Sequence, residues 1–372
     1  MFRKFSWIVL IFLLFAVVDQ GCSGDSGSSN PAGPGDGDDS GWSTQLVKSG
    51  NYANGEINVT VDTEQKLYVS AYESSVGLQY VTNKSGSWIS TLVAEEEADN
   101  AGAQNDIAVD SSGKVHIVYS GYNGIAYTTD ESGSWNSEDM WPDYTGSCSI
   151  VSDSDGNLHS AFDDCYNWDI RYAYKPAGGA WGTKVFLADQ WTGSDCDIDI
   201  DSSDNPHVIF NFSGHYNLRY ALFNSSWNVS TIEGTDSYPY EPDTGWTPAI
   251  AVNKSTDAVN IAYWNRSDSL VQFSTGAVNS AITLKDGVAG WARPCIALDN
   301  EGYAHVFFAE DVVNTLNYLN YATNRSGSWV NTVLSIVVGG NELAVTIDAG
   351  NKIHVLYTNY TYLNLYHASF QL

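Results

Sequence analysis

One sentence of sequence recurs along the chain, and that repetition restricts the fold more than any composition value does. The stretch Asn105 to Trp135, NDIAVDSSGKVHIVYSGYNGIAYTTDESGSW, states the unit. Apolar residues alternate at Ile107 and Val109, at Val115, Ile117 and Tyr119, and at Ile125 and Tyr127, with Gly, Ser, Asn and Asp between the runs. A period of two broken by turn residues predicts three short strands in series, and Trp135 opens a fourth.

Four marks define each copy. An Asp ends the first strand at Asp62, Asp110, Asp153, Asp201, Asp299 and Asp348, with Asn253 in a degenerate fifth copy. Six residues later stand Tyr68, His116, His159, His207, His305 and His354, with Asn260 at seven in the fifth copy. An aromatic ring follows at Tyr80, Tyr127, Tyr172, Tyr220, Phe273, Tyr321 and Tyr366. The closing Trp series is Trp88, Trp135, Trp181, Trp227 and Trp329, spaced by 47, 46, 46 and 102 residues, with Asn279 at the missing mark. Seven copies fit.

The last copy stops after its third strand at Leu372, while Trp42-Ser-Thr-Gln-Leu-Val is a fourth strand without a copy of its own. Pairing the two would close a ring and remove the open edges of a linear array. The expectation is an all-β fold: a seven-bladed β-propeller of four-stranded antiparallel blades over residues 42–372, closed by the N-terminal strand. The repeat resembles those of secreted bacterial β-propellers, loosely similar to sialidase-like (BNR-type) and lectin propellers. The SGSW turns at 85–88, 132–135 and 326–329 are similar to the Asp-box hairpin of sialidases, but the Gly is displaced and Lys84 and Arg325 stand where that hairpin has Asp. The resemblance therefore implies architecture and no catalytic residue.

Ahead of the repeat, Arg3 and Lys4 precede an apolar run from Phe5 to Val18, then Gly21-Cys22. A run of 14 residues is too short to span a bilayer and suits a signal peptide over 1–21. Cys22 resembles the acylated cysteine of bacterial lipoproteins, although Asp19 departs from their pattern; simple secretion is the alternative. Residues 22–41 read as a flexible Gly/Ser/Asp tether. Both readings place the domain outside the cytoplasm, in contact with a membrane only through an N-terminal lipid.

The formal net charge of −28 argues against nucleic acid or an anionic membrane surface as a partner, since both would be repelled. Beyond Cys22, the residues Cys148, Cys165, Cys196 and Cys295 are an even set, compatible with one or two disulfides in an oxidising compartment. A monomer is expected.

Residues repeated in every blade cannot converge on one ion, so the His, Tyr and Trp series are expected to pack the scaffold, each imidazole bonded near its own Asp turn. Function is sought where copies differ. Loops expected on one face carry Trp141, Asp163, Asp164, Trp168, Trp191, Asp195, His215, Tyr216, Trp246, Trp264, Arg266, Trp291 and Arg293. Aromatic rings beside carboxylates and amides suit sugars, whose apolar face stacks while the hydroxyls need donors and acceptors. On the fourth inner strand Asp195, Asp197, Asp199 and Asp201 alternate onto one face, and Asp106 is the second-copy equivalent of Asp197. Asp106, Asp197 and Asp199 are thus candidates for a calcium ion or a polar ligand, against the alternative of a hydrated channel wall. The turn Asp153-Ser-Asp-Gly-Asn also offers oxygen ligands, though it is too short for an EF-hand loop.

The expected function is surface ligand binding, with a carbohydrate as ligand and no required cofactor. The alternatives are a glycan-active enzyme, either a hydrolase using two loop carboxylates or a polysaccharide lyase, and an envelope protein-interaction platform.

Overall fold

The computed structural model describes residues 41–372 except 54, 97–101, 122–123, 144, 166, 168, 183–184, 187–194, 213–216, 235–243, 289 and 312–315, with only the backbone at 185–186, 310–311 and 341. These residues belong to one compact unit, Gly35–Leu372. Among them every regular element is a strand.

Copies one to five each build a four-stranded antiparallel sheet in simple chain order. The first comprises Ile57–Val61, Leu67–Glu73, Gly77–Thr82 and Ile89–Glu95. The second comprises Asn105–Val109, Val115–Gly121, Gly124–Thr129 and Asn136–Trp141. The third comprises Cys148–Ser152, Leu158–Asp164, Asp169–Lys175 and Val185–Phe186, and the fourth Cys196–Ile200, Pro206–Phe212, Asn217–Phe223 and Trp227–Glu233. The fifth comprises Trp246–Val252, Val259–Asn265, Leu270–Ser274 and Ile282–Lys285.

Copies six and seven share one seven-stranded sheet, because the strand Val330–Ile347 serves both. Its first half pairs with Asn317–Thr323, its second half with Lys352–Asn359, and the register shifts between Val338 and Leu343. At the far edge Ser43–Lys48 pairs antiparallel with Leu365–Gln371, so the fourth strand of the last copy is supplied from the N-terminus. A two-stranded ribbon, Trp291–Ala292 with Glu310–Asp311, stands beside this sheet.

The first strand of each copy touches the first strand of the next. Ile57–Val61 lies against Asn105–Val109, and contacts continue through Cys148–Ser152, Cys196–Ile200, Trp246–Val252 and Cys295–Leu298 to Val330–Ile347, which itself lies against Ile57–Val61. Second strands sit deepest: Leu67–Glu73, Leu158–Asp164 and Pro206–Phe212 are buried at every residue. The outer strand Ile89–Glu95 is mostly exposed. Burial therefore follows position within a sheet more than the alternation of polar and apolar residues, and Ser70, Ser160 and Asp163 are buried with their neighbours.

The repeated marks turn out to be one device. In copy three Asp153 Oδ1 accepts the N–H groups of Asp155 and Asn157 at 3.0 and 2.7 Å, tying its hairpin. Asp153 Oδ2 meets His159 Nε2 at 3.2 Å, and His159 Nδ1 meets the Tyr172 hydroxyl at 2.7 Å. Copies two and six repeat this with Asp110, His116 and Tyr127 and with Asp299, His305 and Tyr321. The first copy replaces the imidazole by Tyr68, whose hydroxyl donates to Asp62 Oδ2 at 2.7 Å. Turns of this shape need a left-handed backbone, met by Gly113, Gly156 and Gly302 at φ of +77°, +79° and +85°. The Asp153 turn thus spends its carboxylate on its own hairpin and its own imidazole.

Each Trp packs on the aromatic ring of the preceding copy: Trp135 on Tyr80 at 5.0 Å, Trp181 on Tyr127 at 5.4 Å, Trp227 on Tyr172 at 4.8 Å and Trp329 on Phe273 at 4.7 Å between centroids. Trp42 reaches Tyr321 at 6.2 Å, and Trp88 reaches His367 at 5.7 Å. That last contact corrects the seventh copy. The residue completing its relay is His367, whose Nε2 lies 3.0 Å from His354 Nδ1, and not Tyr366. Adjacent strand residues point to opposite faces, so a slip of one position exchanges the ring in the relay for the ring outside it.

The cysteines form no disulfide: Cys148, Cys165, Cys196 and Cys295 are all free. Cys148 and Cys196 do occupy neighbouring first strands, but Cys196 Sγ sits 3.4 Å from Ser147 Oγ and Cys165 Sγ donates to Asp163 Oδ2 at 3.1 Å.

Candidate functional site

A cavity of about 250 Å³ opens where the first strands begin, and residues from the first strand or its lead-in in all seven copies line it. Its outermost wall is defined by a position the marks make easy to find. Six residues before each copy's Asp or Asn stand Glu56, Gln104, Ser147, Asp195, Thr247, Arg293 and Glu342, all polar. Six of these line the cavity, and the second copy contributes Asn105. Two residues deeper the same count gives Asn58, Asp106, Ser149, Asp197, Ala249, Cys295 and Ala344, a set that turns small and apolar in the later copies.

Arg293 is the positive centre of this mouth. Its Nη1 bridges Glu56 Oε1 at 2.8 Å and Glu342 Oε2 at 3.3 Å, joining the lead-in of copy six to those of copies seven and one. These carboxylates, with Asp195 nearby, raise the guanidinium pKa further despite its burial. Burial pushes Glu56 up to about 8, against the pull of Arg293. Asp195 Oδ2 accepts a long 3.4 Å bond from the Thr247 N–H, and Thr247 Oγ1 donates to the Ala292 carbonyl at 2.8 Å.

Below the mouth the inner aspartates act as staples between sheets. Asp106 Oδ2 accepts the Ile150 N–H at 2.8 Å, Asp197 Oδ2 accepts the Ile250 N–H at 2.9 Å, and Asp199 Oδ2 accepts the Val252 N–H at 2.7 Å. Each carboxylate thereby satisfies an edge N–H of the next copy's first strand. Lys254 Nζ neutralises Asp199 at 2.8 Å. Ser149 Oγ lies 2.8 Å from both Asp106 Oδ2 and Asp197 Oδ1. A hydroxyl carries one hydrogen, so one of the two contacts requires a protonated carboxyl. Burial, then Asp197, raises Asp106 to about 7, and burial raises Asp197 to about 6. Among the described residues no group of three or more His, Cys, Asp or Glu side chains is arranged to hold a metal ion.

The other residues singled out from sequence divide sharply. Asp163 and Asp164 are fully buried. Asp163 Oδ1 accepts the N–H groups of Gly146 and Ser147 at 2.6 and 2.7 Å, and Asp164 Oδ2 receives Arg171 Nε at 2.9 Å. Arg171 stacks on Trp141 with 4.2 Å from the guanidinium carbon to the ring centroid. These residues brace the third sheet's connection. Trp246 and Trp291 instead form an edge-to-face pair at 5.5 Å, with Trp264 at 5.1 Å from Trp291. Arg266 sits over both rings, at 5.6 Å from Trp246 and 5.7 Å from Trp291. Trp291 is 43% exposed and two residues from Arg293, and Trp246 immediately precedes Thr247, so the cluster adjoins in sequence two residues that line the cavity, while its own rings are outside the lining. Trp168, Trp191, His215, Tyr216 and Cys22 lie outside the described residues.

Sequence reasoning missed Glu56, Glu342 and Ser149. The signal is present in the sequence: counting back from the repeated Asp gives the mouth directly, although the four alternating aspartates of the fourth copy are more conspicuous.

No family model matches the chain, and no curated protein matches it. Among solved structures, AofleA from Arthrobotrys oligospora is similar with a TM-score of 0.55 at 11% identity, over 80% of this chain and 90% of that one. The SapL1 lectin, solved in complex with alpha methyl fucoside, gives 0.51 at 15% identity over 78% and 99%. A protein of unknown function from Dyadobacter fermentans gives 0.52 at 10% identity over 78% and 99%. At these identities the likeness is one of fold, and the chain has a β-propeller-like all-β fold.

Proposed function

We propose that this protein is a carbohydrate-binding propeller displayed outside the cytoplasm, and that the Trp246–Trp291–Arg266 cluster is its sugar platform. The observation that carries the reading is the exposed Trp291 ring, packed edge-to-face with Trp246 and tilted against Trp264, two residues from the cavity-lining Arg293. A rigid aromatic face next to acceptors and donors matches the two surfaces of a pyranose. The SapL1 lectin, which shares the fold, is a sugar binder, and this adds modest support. Saturable binding on a glycan array, lost in Trp291→Ala without a change in melting temperature, is the expected result. A blank array across neutral, amino and acidic glycans would overturn it.

The architecture proposed is seven blades, with the shared strand Val330–Ile347 serving as the outer strand of the sixth and the inner strand of the seventh. The cyclic run of first-strand contacts and the Ser43–Lys48 pairing support closure. Deleting the chain through Lys48 would leave the edge of Leu365–Gln371 unpaired, and loss of a cooperative thermal transition or aggregation is expected. A truncated chain melting like the full one would refute closure by this strand. Lipidation of Cys22 belongs to the same reading and is checked by labelling with a fatty acid in a Cys22→Ala pair.

A further inference from the structure

The mouth of the cavity carries Glu56, Gln104, Ser147, Asp195, Thr247, Arg293 and Glu342 at equivalent positions of the seven copies, in contrast to the near-invariant Asp at the turn end. We propose that this mouth binds one uncharged monosaccharide unit per chain, end on, and discriminates against the corresponding uronic acid. The inference rests on the carbohydrate reading above and specifies the ligand's chemistry.

Size is the first argument. At about 250 Å³ the cavity falls just under the roughly 300–1,000 Å³ of pockets that enclose drug-sized ligands, which suits a single sugar ring and not a chain of them. Charge is the second. Glu56, Asp195 and Glu342 surround a single guanidinium, and Arg293 is already engaged by Glu56 and Glu342 at 2.8 and 3.3 Å. A ligand carboxylate would meet the Asp195 and Glu342 side chains and a cation already engaged by two partners, whereas sugar hydroxyls can donate to these oxygens without a charge penalty.

Open hydrogen-bonding capacity is the third argument. The half-buried Asp195 carboxylate, which lines the cavity, accepts only the long 3.4 Å bond from Thr247 among the described residues. An under-used acceptor in a cavity wall favours a ligand rich in hydroxyl donors. Finally, the exposed Trp291 is two residues from the cavity-lining Arg293, and the next ring of a longer glycan would lie on its indole. Asp195, Thr247 and Arg293 occur together once around the ring, which sets one site per chain.

Calorimetric titration of the full chain with the methyl glycosides of glucose, galactose, mannose and fucose, and of glucuronic and galacturonic acid, tests the proposal. At least one uncharged glycoside should bind saturably with a stoichiometry near one, and its uronic counterpart at least tenfold more weakly. Asp195→Asn should weaken the uncharged ligand at least tenfold at an unchanged melting temperature. Equal or tighter binding of the uronic acid on the unmodified chain, a comparison that needs no variant, would overturn the proposal, as would several sites per chain. If Trp291→Ala abolishes binding while Asp195→Asn leaves it intact, the mouth assignment fails and the platform stands. If no glycoside or glycan binds, both fail.

Discussion

The two ends of the first strands obey opposite rules. At the turn end, copies two, three, six and seven place Asp, His and a further ring in one hydrogen-bonded arrangement, copy four keeps the same residues with His207 3.4 Å from Asp201, copy one sets Tyr68 on Asp62, and copy five substitutes Asn253 and Asn260. At the mouth, the equivalent backbone positions carry Glu56, Ser147, Asp195, Thr247, Arg293 and Glu342, each with its own partner. What is repeated holds the sheets together, and what varies forms a cavity. The difference teaches that in a repeat fold a striking residue pattern marks scaffold, and that a site is sought at positions where the pattern is silent.

Substitutions should separate the two ends. The largest effect is expected for Tyr127→Ala, which removes a ring that is 2% exposed, the hydroxyl partner of His116 and the surface on which Trp181 packs. Large-to-small changes of this kind cost about 3–5 kcal/mol. Urea unfolding should show that loss while the folded fraction binds glycan with unaltered affinity. An affinity change as large as the stability change would break the distinction.

Trp291→Ala should do the reverse. Its ring is 43% exposed, so stability should move by under about 1 kcal/mol, and binding should fall at least tenfold. Stability loss comparable to Tyr127→Ala would reassign the Trp246–Trp264–Trp291 cluster to the scaffold.

The pH dependence of stability should carry both ends with opposite signs. Burial raises Glu56 to about 8, Asp106 to about 7 and Asp197 to about 6, above their unfolded values. Such groups contribute stability that is full below about pH 4 and is lost as pH rises through the folded values. At the turn end burial lowers His116, His159, His207, His305 and His354, so their contribution is present above about pH 6.5 and is lost as pH falls. The two contributions therefore oppose each other between about pH 4 and 6.5. Asp106→Asn should lessen the loss of stability on raising the pH from about 4 to 7, because an amide oxygen still accepts the Ile150 N–H and the amide N–H can donate to Ser149. His159→Gln should lessen the loss as pH falls below about 6.5. Both variants changing the slope in the same direction would mean that the two ends are not electrically separate.

Much of this is legible in the sequence alone. The seven-fold sentence predicted the strands, the antiparallel sheets and the N-terminal strand on the last copy, because a period of two and Asp/Gly turns are local signals. The Asp–His pairing was legible for the same reason. The aspartates Asp163 and Asp164 were less so: sequence shows a loop carboxylate but not the Gly146 and Ser147 N–H groups that it caps. Arg293 was singled out, yet its bridge between Glu56 and Glu342 joins residues far apart in the chain and depends on the register of three copies. His367 was displaced by one position because Tyr366 matched the residue type expected there.

The thiols give the smallest expected effect and a direct check on the same boundary between scaffold and cavity. Cys148 and Cys196 sit at equivalent positions of neighbouring first strands, where a disulfide would brace the mouth. Their thiols are held well above the usual range by burial, and Cys165 likewise, by burial and by Asp163. A thiol so raised is a poor nucleophile and a slow partner in exchange. Alkylation of the native chain at pH 8 should therefore be slow at all four sites, and alkylation after denaturation without reductant should label Cys148, Cys165, Cys196 and Cys295 completely. A two-dalton deficit on a peptide pair joining Cys148 to Cys196 would show a covalent brace. In that case the mouth would be held by the scaffold's own chemistry and the division between the two ends would be weaker than the hydrogen-bond pattern implies.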